Sequence, residues 1–257
     1  MPHSSIARSV RDTSVDRGRR EAAEAAVKRM RDDPDHDEYL RRWSGMYAHA
    51  NYEAGLSAYF LRKSHEWSER AFDADVHFPK VLEVGAGTGV HLPFVRHTFD
   101  EYWMTDLNTP FLERALAADV VRTRGNVRVD RQDAAALTFS DSTYDRVIAT
   151  HILEHLPQPH GALREWVRVL KPGGLLSLVL PCDPGVAWRV GRAVGSRGKF
   201  VKAGIEYDYW MAREHVNPIN NLVAFVKHYF PDVREQWLPL RVPSIDLNLF
   251  YIAHIRV

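Results

Sequence analysis

The sequence predicts an α/β protein with a doubly wound, mostly parallel seven-stranded sheet and helices on both faces. Three observations predict it. Short apolar runs alternate with helical periods from residue 79 onward. The first run enters three alternate glycines, in Val81-Leu82-Glu83-Val84-Gly85-Ala86-Gly87-Thr88-Gly89. A later run, Leu175 to Leu180, is almost wholly apolar, as in a strand covered on both faces.

The elements follow in order. Lys80 to Val84 is the first strand, and Val90 to Thr98 reads as a helix. Glu101 to Thr105 is the second strand, and Pro110 to Ala118 the next helix. Asn126 to Val129 is the third strand. Tyr144 to Thr150 is the fourth, bounded by the polar turn Ser140-Asp141-Ser142. Gly161 to Leu170 reads as a helix stopped by Lys171-Pro172-Gly173-Gly174, because proline cannot continue it and glycine tolerates the left-handed turn. Leu175 to Leu180 is the fifth strand. Residues 182–218 break the rhythm and are expected as an insertion over the carboxyl edge of the sheet. Asn221 to Phe230 is a last helix, and Val233 to Val242 and Leu247 to Ile255 are two closing strands. Strand–helix alternation of this kind implies a parallel sheet.

Two segments precede this pattern. Residues 1–38 are rich in Arg, Asp, Glu and Ala and form a charged arm, helical or mobile, with little apolar surface to bury. Residues 39–78 are expected to be a helical cap. Leu56, Tyr59, Phe60, Lys63 and Trp67 share helical spacing and would face the main domain, residues 79–257.

The chain has 257 residues, enough for one α/β domain with additions, and a formal net charge of +1. That charge supplies no global field toward nucleic acid or anionic lipid. One cysteine, Cys182, excludes an intramolecular disulfide and a cysteine zinc cluster. No apolar run approaches the roughly 20 residues of a membrane span. The stretch MPHSSIARSVRD lacks the apolar centre of an export signal. A cytoplasmic protein is expected; the oligomeric state is left open.

A dinucleotide site would place a glycine where Val90 stands, and would set a diphosphate on the helix N-terminus. Glu83 in the turn region suits a cationic ligand better than a diphosphate. This run resembles the first motif of the class I, Rossmann-like S-adenosylmethionine-dependent methyltransferases. The likeness spans roughly residues 79–181. It implies a seven-stranded sheet, the cofactor S-adenosylmethionine and the product S-adenosylhomocysteine. Glu83, Gly85, Ala86, Gly87 and Gly89 would form the cofactor loop. Asp106, ending the second strand, would accept the ribose hydroxyls, with Leu107 beside the adenine. Asp133, followed by Ala134 in Arg131-Gln132-Asp133-Ala134, would accept from the adenine amino group. The stretch Asp145 to Leu156 resembles the family's fourth strand and following loop, with Thr150 at the cofactor.

Methyl transfer is an in-line displacement that needs alignment, a dry site and, for an oxygen or nitrogen acceptor, a nearby base. The reacting methyl belongs near the carboxyl ends of the first and fourth strands. His151 follows Thr150 there and is the first candidate base, since imidazole titrates near neutrality. His155, four residues on, and His215, in the insertion, are the other candidates. The chain has 13 histidines, so packing roles must account for most of them.

A nucleic-acid enzyme is disfavoured. The position after the fourth strand reads Thr150-His151-Ile152-Leu153, without the Pro-Pro-aromatic motif of the amino methyltransferases, and Pro181-Cys182 follows the wrong strand for a cytosine carbon-5 enzyme. A metal-dependent catechol-type enzyme needs carboxylates at the strand ends; Thr150 and His151 stand there, so no metal is expected. A sensor or partner subunit that binds S-adenosylmethionine without transferring methyl is the alternative from another functional class. Through Pro181-Cys182-Asp183-Pro184-Gly185, Glu206-Tyr207-Asp208-Tyr209-Trp210 and Arg213-Glu214-His215-Val216-Asn217-Pro218, residues 181–257 resemble a subgroup of bacterial methyltransferases associated with polysaccharide and secondary-metabolite biosynthesis. That likeness names no substrate; the expected acceptor is a small molecule or a glycan-linked group, methylated on oxygen or nitrogen. Tyr207, Tyr209 and Trp210 are expected as a stacking wall, and Arg189, Arg192, Arg197, Lys199 and Lys202 as a basic stretch facing acceptor anions.

Overall fold

The computed structural model describes residues 55–257 together with Glu21, Ala22, Glu24, Ala25, Tyr39 and Arg42. The chain divides into two compact units, Met1–Gly45 and Met46–Val257. In the first, the described residues are helical. Otherwise the arm over 1–38 lies outside the described residues. The second unit begins, among the described residues, with helix α1 (Leu56–Glu69) and then the α/β pattern.

The strands are β1 (Lys80–Val84), β2 (Glu101–Asp106), β3 (Val127–Arg131), β4 (Tyr144–Thr150), β5 (Leu170–Pro181), β6 (Val233–Leu238) and β7 (Phe250–Arg256). Among the described residues they form one seven-stranded sheet in the order β3-β2-β1-β4-β5-β7-β6. β7 runs antiparallel to β5 and β6, and the other pairs are parallel. The order reverses between β1 and β4, so their carboxyl ends flank a crevice of the kind that binds ligands in open α/β sheets.

Helices follow local chemistry. Helix α2 (Thr109–Ala117) starts at Asn108, whose side chain accepts from the Phe111 N–H, with a proline in its first turn. After the short α3 (Asp119–Arg122), helix α4 (Pro159–Val169) also begins at proline. Helix α4 lays Trp166, Leu163 and Ala162 on the sheet face formed by Leu82, Val147 and Leu178. The insertion folds as α5 (Val186–Val194), α6 (Ser196–Lys202) and α7 (Tyr207–Glu214), and α8 (Ile219–Tyr229) leads to the closing strands.

Four expectations need correction. Val90 to Thr98 is not a helix; it contains only a short 3-10 turn, Leu92–Phe94. Pro93 interrupts the segment and Val95 is extended, while the His91 ring turns inward to Glu69. A proline inside a helix removes a hydrogen bond and clashes with the preceding turn. Strand β5 starts at Leu170, which pairs with Tyr144 across an irregularity, rather than at Leu175. The closing strands are shorter than expected, leaving residues 239–249 as a connection.

The fourth correction concerns α1. Leu56 and Tyr59 are exposed, and the buried positions are Ala58, Ser64, His65, Ser68 and Glu69. Trp67 does pack inward, against Val179, Leu238 and Ile252. The buried face is polar because the sheet offers polar partners. Arg146, in the middle of β4, donates Nη2 to Glu69 Oε1 at 2.6 Å and Nη1 to Glu69 Oε2 at 3.0 Å. Its Nε reaches Ser177 Oγ at 3.1 Å, and its guanidinium lies 4.1 Å from the centre of the Phe72 ring. His91 Nε2 bonds Glu69 Oε1 at 3.1 Å. Burial alone would raise the Glu69 carboxyl, but Arg146 and His91 outweigh it and hold it well below the usual range.

Both ends of this pair are fully buried. Removing one partner of such a pair costs about 3–5 kcal/mol, because the other charge stays behind unsatisfied. Arg146→Ala is expected to lower unfolding free energy by that amount in urea titrations. A loss under about 1 kcal/mol would mean that water reaches Glu69.

Among the described residues, no helix is long and apolar enough to cross a membrane.

Candidate active site at the carboxyl edge of the sheet

The glycine loop leaves β1 with Gly85, Gly87 and Gly89 at φ of 65°, 56° and 80°. These left-handed values favour glycine. Space adds a second reason at two of them. A Cβ on Gly85 would collide with the Ile152 side chain, and one on Gly89 would lie 2.7 Å from Met104 Cε. The Ala86 N–H donates to the Thr105 carbonyl at 2.9 Å, stitching the loop to β2.

Asp106 closes β2 beside this loop. Its Oδ2 accepts from the Gly87 N–H at 2.9 Å and its Oδ1 from the Asn108 N–H at 2.8 Å. Each carboxylate oxygen keeps a further lone pair, so both can still accept ligand hydroxyls. Burial raises the Asp106 carboxyl, and the N–H groups of Asn108, Gly87 and Leu107 pull it back. Leu107 is exposed at the edge of this site, 54% accessible where most leucines are buried. Asp133 is exposed; its Oδ1 accepts from the Ala135 N–H at 2.8 Å, a turn contact that leaves Oδ2 available. Ala134 is buried, and its carbonyl accepts from the Trp166 indole at 2.8 Å. Thr150 is buried at the end of β4, in register with Val179.

Glu83 takes a different place from the expected one. Its side chain is buried and accepts from the Tyr102 hydroxyl at 2.8 Å. Burial raises its carboxyl above the ordinary value. It therefore braces β1 against β2 beneath the loop rather than facing a ligand.

His151 follows Thr150 with φ 55°, a left-handed conformation that turns the chain out of the strand. Its Nε2 is 2.9 Å from Ser64 Oγ, and Ser64 donates to the Leu61 carbonyl at 2.7 Å. A hydroxyl has one proton. Since Ser64 gives its proton to Leu61, the His151 Nε2–H donates to Ser64, and the ring's lone pair resides on Nδ1. Burial, with His215 and His91 nearby, pushes His151 down to about 3, so the ring is neutral.

His155 and His215 meet a short distance away, with ring centres 4.8 Å apart. His155 Nδ1 donates to the Glu214 carbonyl at 2.9 Å. His215 Nδ1 donates to Asp183 Oδ2 at 2.8 Å. Asn217 ties the insertion to the turn after β4 by donating to the Leu156 carbonyl at 2.7 Å, while its own N–H reaches the Glu154 carbonyl at 3.1 Å. A cavity of about 230 Å³ opens beside His215, Asn217, Asp183 and Met211. Glu154, in the same turn as His155, is buried and was not among the sequence candidates, because a single glutamate in a polar turn carries no local sign of burial.

The expected stacking wall is not formed as a wall. Tyr207 and Trp210 are buried, and only Tyr209 of the three is exposed. Tyr207 stacks on Phe200 and holds Ser196 through its hydroxyl at 2.9 Å. The basic stretch is partly neutralised within the insertion. Arg197 pairs with Asp208 at 2.7 Å, and Arg192 with Asp183 at 3.3 Å.

A family profile described as "Methyltransferase domain" matches residues 82–178. The chain is 36% identical over 110 residues to the 2-methyl-6-phytyl-1,4-hydroquinone methyltransferase 1 of Oryza sativa, covering 42% of this chain and 32% of that protein. It is 35% identical over 103 residues to a phosphatidylethanolamine N-methyltransferase of Cereibacter sphaeroides, covering 39% of this chain and 49% of that one. The chain thus spans less than half the length of these curated relatives. A solved methyltransferase from Thermotoga maritima superposes with a TM-score of 0.53 at 18% identity, covering 86% of this chain and 96% of that one. That likeness concerns the fold.

Proposed function

We propose that this chain, whose residues 82–178 match a methyltransferase-domain profile, is a class I S-adenosylmethionine-dependent methyltransferase that transfers a methyl group to an oxygen or nitrogen of a small-molecule or glycan-linked acceptor. The observation that carries the reading is the joint placement of three left-handed glycines and the Asp106 carboxylate, bonded to Gly87, beside the end of β4. In this reading Asp106 takes the ribose hydroxyls, Leu107 lies against the adenine, and Asp133 with Ala134 receives the adenine edge. Thr150 and the glycine loop bound the methionine portion. His151 presents its Nδ1 lone pair to the acceptor. The acceptor enters from the cavity beside the insertion, whose size suits a small molecule or a terminal sugar.

The test is binding. S-adenosylhomocysteine at 100 times its Kd would stabilise the folded state by about 2.7 kcal/mol, read as a rise in melting temperature. NAD should give none. Asp106→Ala is expected to weaken S-adenosylhomocysteine by about 1.5–3 kcal/mol, the range for hydrogen bonds to a charged group, or roughly tenfold to 150-fold. Stabilisation by NAD alone would overturn the reading.

A further inference from the structure

Three side chains converge beneath the insertion: Glu154 and His155 from the turn after β4, and His215 from the end of α7. One donor atom from each lies within 4.8 Å of the others. His155 Nε2 is 3.9 Å from Glu154 Oε1. Both rings are held from behind. His155 gives its Nδ1 proton to a backbone carbonyl, and His215 gives its Nδ1 proton to the Asp183 carboxylate. Carbonyl and carboxylate oxygens only accept, so in each neutral ring the lone pair is on Nε2. This is the arrangement by which proteins orient metal-binding imidazoles. Glu154 is 2% exposed, and its Oε2 has no hydrogen-bond partner. A buried carboxylate oxygen left without a partner is costly. Ring packing alone would account for the two histidines but not for this oxygen.

We propose that Glu154, His155 and His215 bind one divalent transition-metal ion such as Zn²⁺, with Asp183 and the Glu214 carbonyl fixing the rings. Two imidazoles and one carboxylate favour such an ion over Mg²⁺ or Ca²⁺, which prefer all-oxygen shells. A tetrahedral ion about 2.0–2.1 Å from each donor needs them about 3.4 Å apart, a modest closure from the observed spacing. The expectation of a metal-free site considered only carboxylates at strand ends. The ligands here come from a turn and an inserted helix instead.

Three protein ligands leave a position open, next to the cavity that His215 lines. The ion's role rests on the methyl-transfer reading; its binding does not. An acceptor hydroxyl on the open position becomes more acidic. Its proton leaves to water or to His151, and the oxygen lone pair forms the bond to the methyl carbon. The carbon–sulfur bond breaks with its electron pair on sulfur, giving a methyl ether and neutral S-adenosylhomocysteine.

The full-length protein, stripped with a chelator, would be titrated with zinc chloride by calorimetry, and with Co²⁺ by visible absorption. One equivalent of zinc and the intense bands of a four- or five-coordinate cobalt site are expected. Glu154→Gln and His215→Gln should each weaken zinc at least 100-fold, and Asp183→Asn about 10- to 100-fold. S-adenosylhomocysteine stabilisation of each variant reports its folding. No zinc binding by the wild-type protein, a weak octahedral cobalt spectrum, or wild-type affinity in the His215→Gln and Glu154→Gln variants would each overturn the site. The cobalt spectrum decides the matter if both variants fail to fold. Zinc binding without any S-adenosylhomocysteine response would keep the metal site and remove the transfer reading.

Discussion

Acidification from pH 6.5 to pH 4 is expected to remove on the order of 6 kcal/mol of stability, enough to unfold a typical domain of 5–15 kcal/mol total stability. Two of the buried histidines supply this much between them. His97 is 4% exposed and His254 5% exposed. Burial, helped by the positive charge of Arg146, pushes each down to about 4 from an ordinary 6.5. Glu69 pulls both the other way without prevailing, as does the Thr98 carbonyl on His97. In the unfolded chain these rings take up protons as pH falls below about 6.5; in the folded chain they do not until about 4. Between those values the unfolded state binds more protons, so stability falls as pH falls. Above pH 6.5 the contribution is complete and constant. Keeping a ring neutral down to about pH 4 in the fold, against about 6.5 in the unfolded chain, is worth on the order of 3 kcal/mol for each ring. Melting temperature measured from pH 7.5 to 4 would check this. A curve flat down to pH 4.5 would show that the rings are protonated within the fold.

Turnover of His151→Ala is expected to fall 10²- to 10⁴-fold, with S-adenosylhomocysteine affinity changed by less than a few-fold. That range is the usual contribution of a positioned proton acceptor. The tautomer set by Ser64 and Leu61 directs the lone pair to Nδ1. With its proton affinity lowered to about 3 the ring stays neutral at working pH, so it receives a proton well only from an acceptor already made acidic. An ion held by Glu154, His155 and His215 would supply that acidity. Because His151 sits at positive φ, His151→Asn is the companion variant; asparagine tolerates this backbone better than alanine. Equal turnover in the wild-type protein and both variants would remove His151 from the mechanism.

The parallel sheet and cofactor loop were legible because their physics is local. Apolar runs of strand length, glycines at a sharp turn and an aspartate at a strand end each announce themselves within a few residues. The polar interior was not. Arg146 stands inside the apolar run of β4 and signals a buried partner, yet nothing local points to Glu69, 77 residues away. That pairing also explains why the inward face of α1 could not be found by apolar spacing. The Glu154, His155 and His215 cluster depends on the insertion folding back. Its two histidines were visible one by one and Glu154 was not, and the three meet where the His155 bond to the Glu214 carbonyl and the Asn217 bonds tie the insertion to the turn. Tyr207 and Trp210 read as surface aromatics because composition does not distinguish a binding wall from the core of a small helical insertion.

The stretch from Gly85 to Thr98 is made of turns, which from Val90 onward stand where a helix was expected, and this governs how the site exchanges ligands. Its backbone bonds are short-range, Gly89 to Ala86, Phe94 to His91 and Val95 to Leu92, apart from the ties of Ala86 to Thr105, Thr98 to Val76 and Phe78 to Thr98. Its glycine turn, Gly85 to Gly89, can open while His91 and Leu92 stay buried beside it, at a small fraction of the free energy needed to unfold the sheet behind it. Entry and exit of a cofactor then become a local breathing event on a rigid floor. Residence time is set by how firmly the occupant closes the loop, and not by any motion of the domain as a whole.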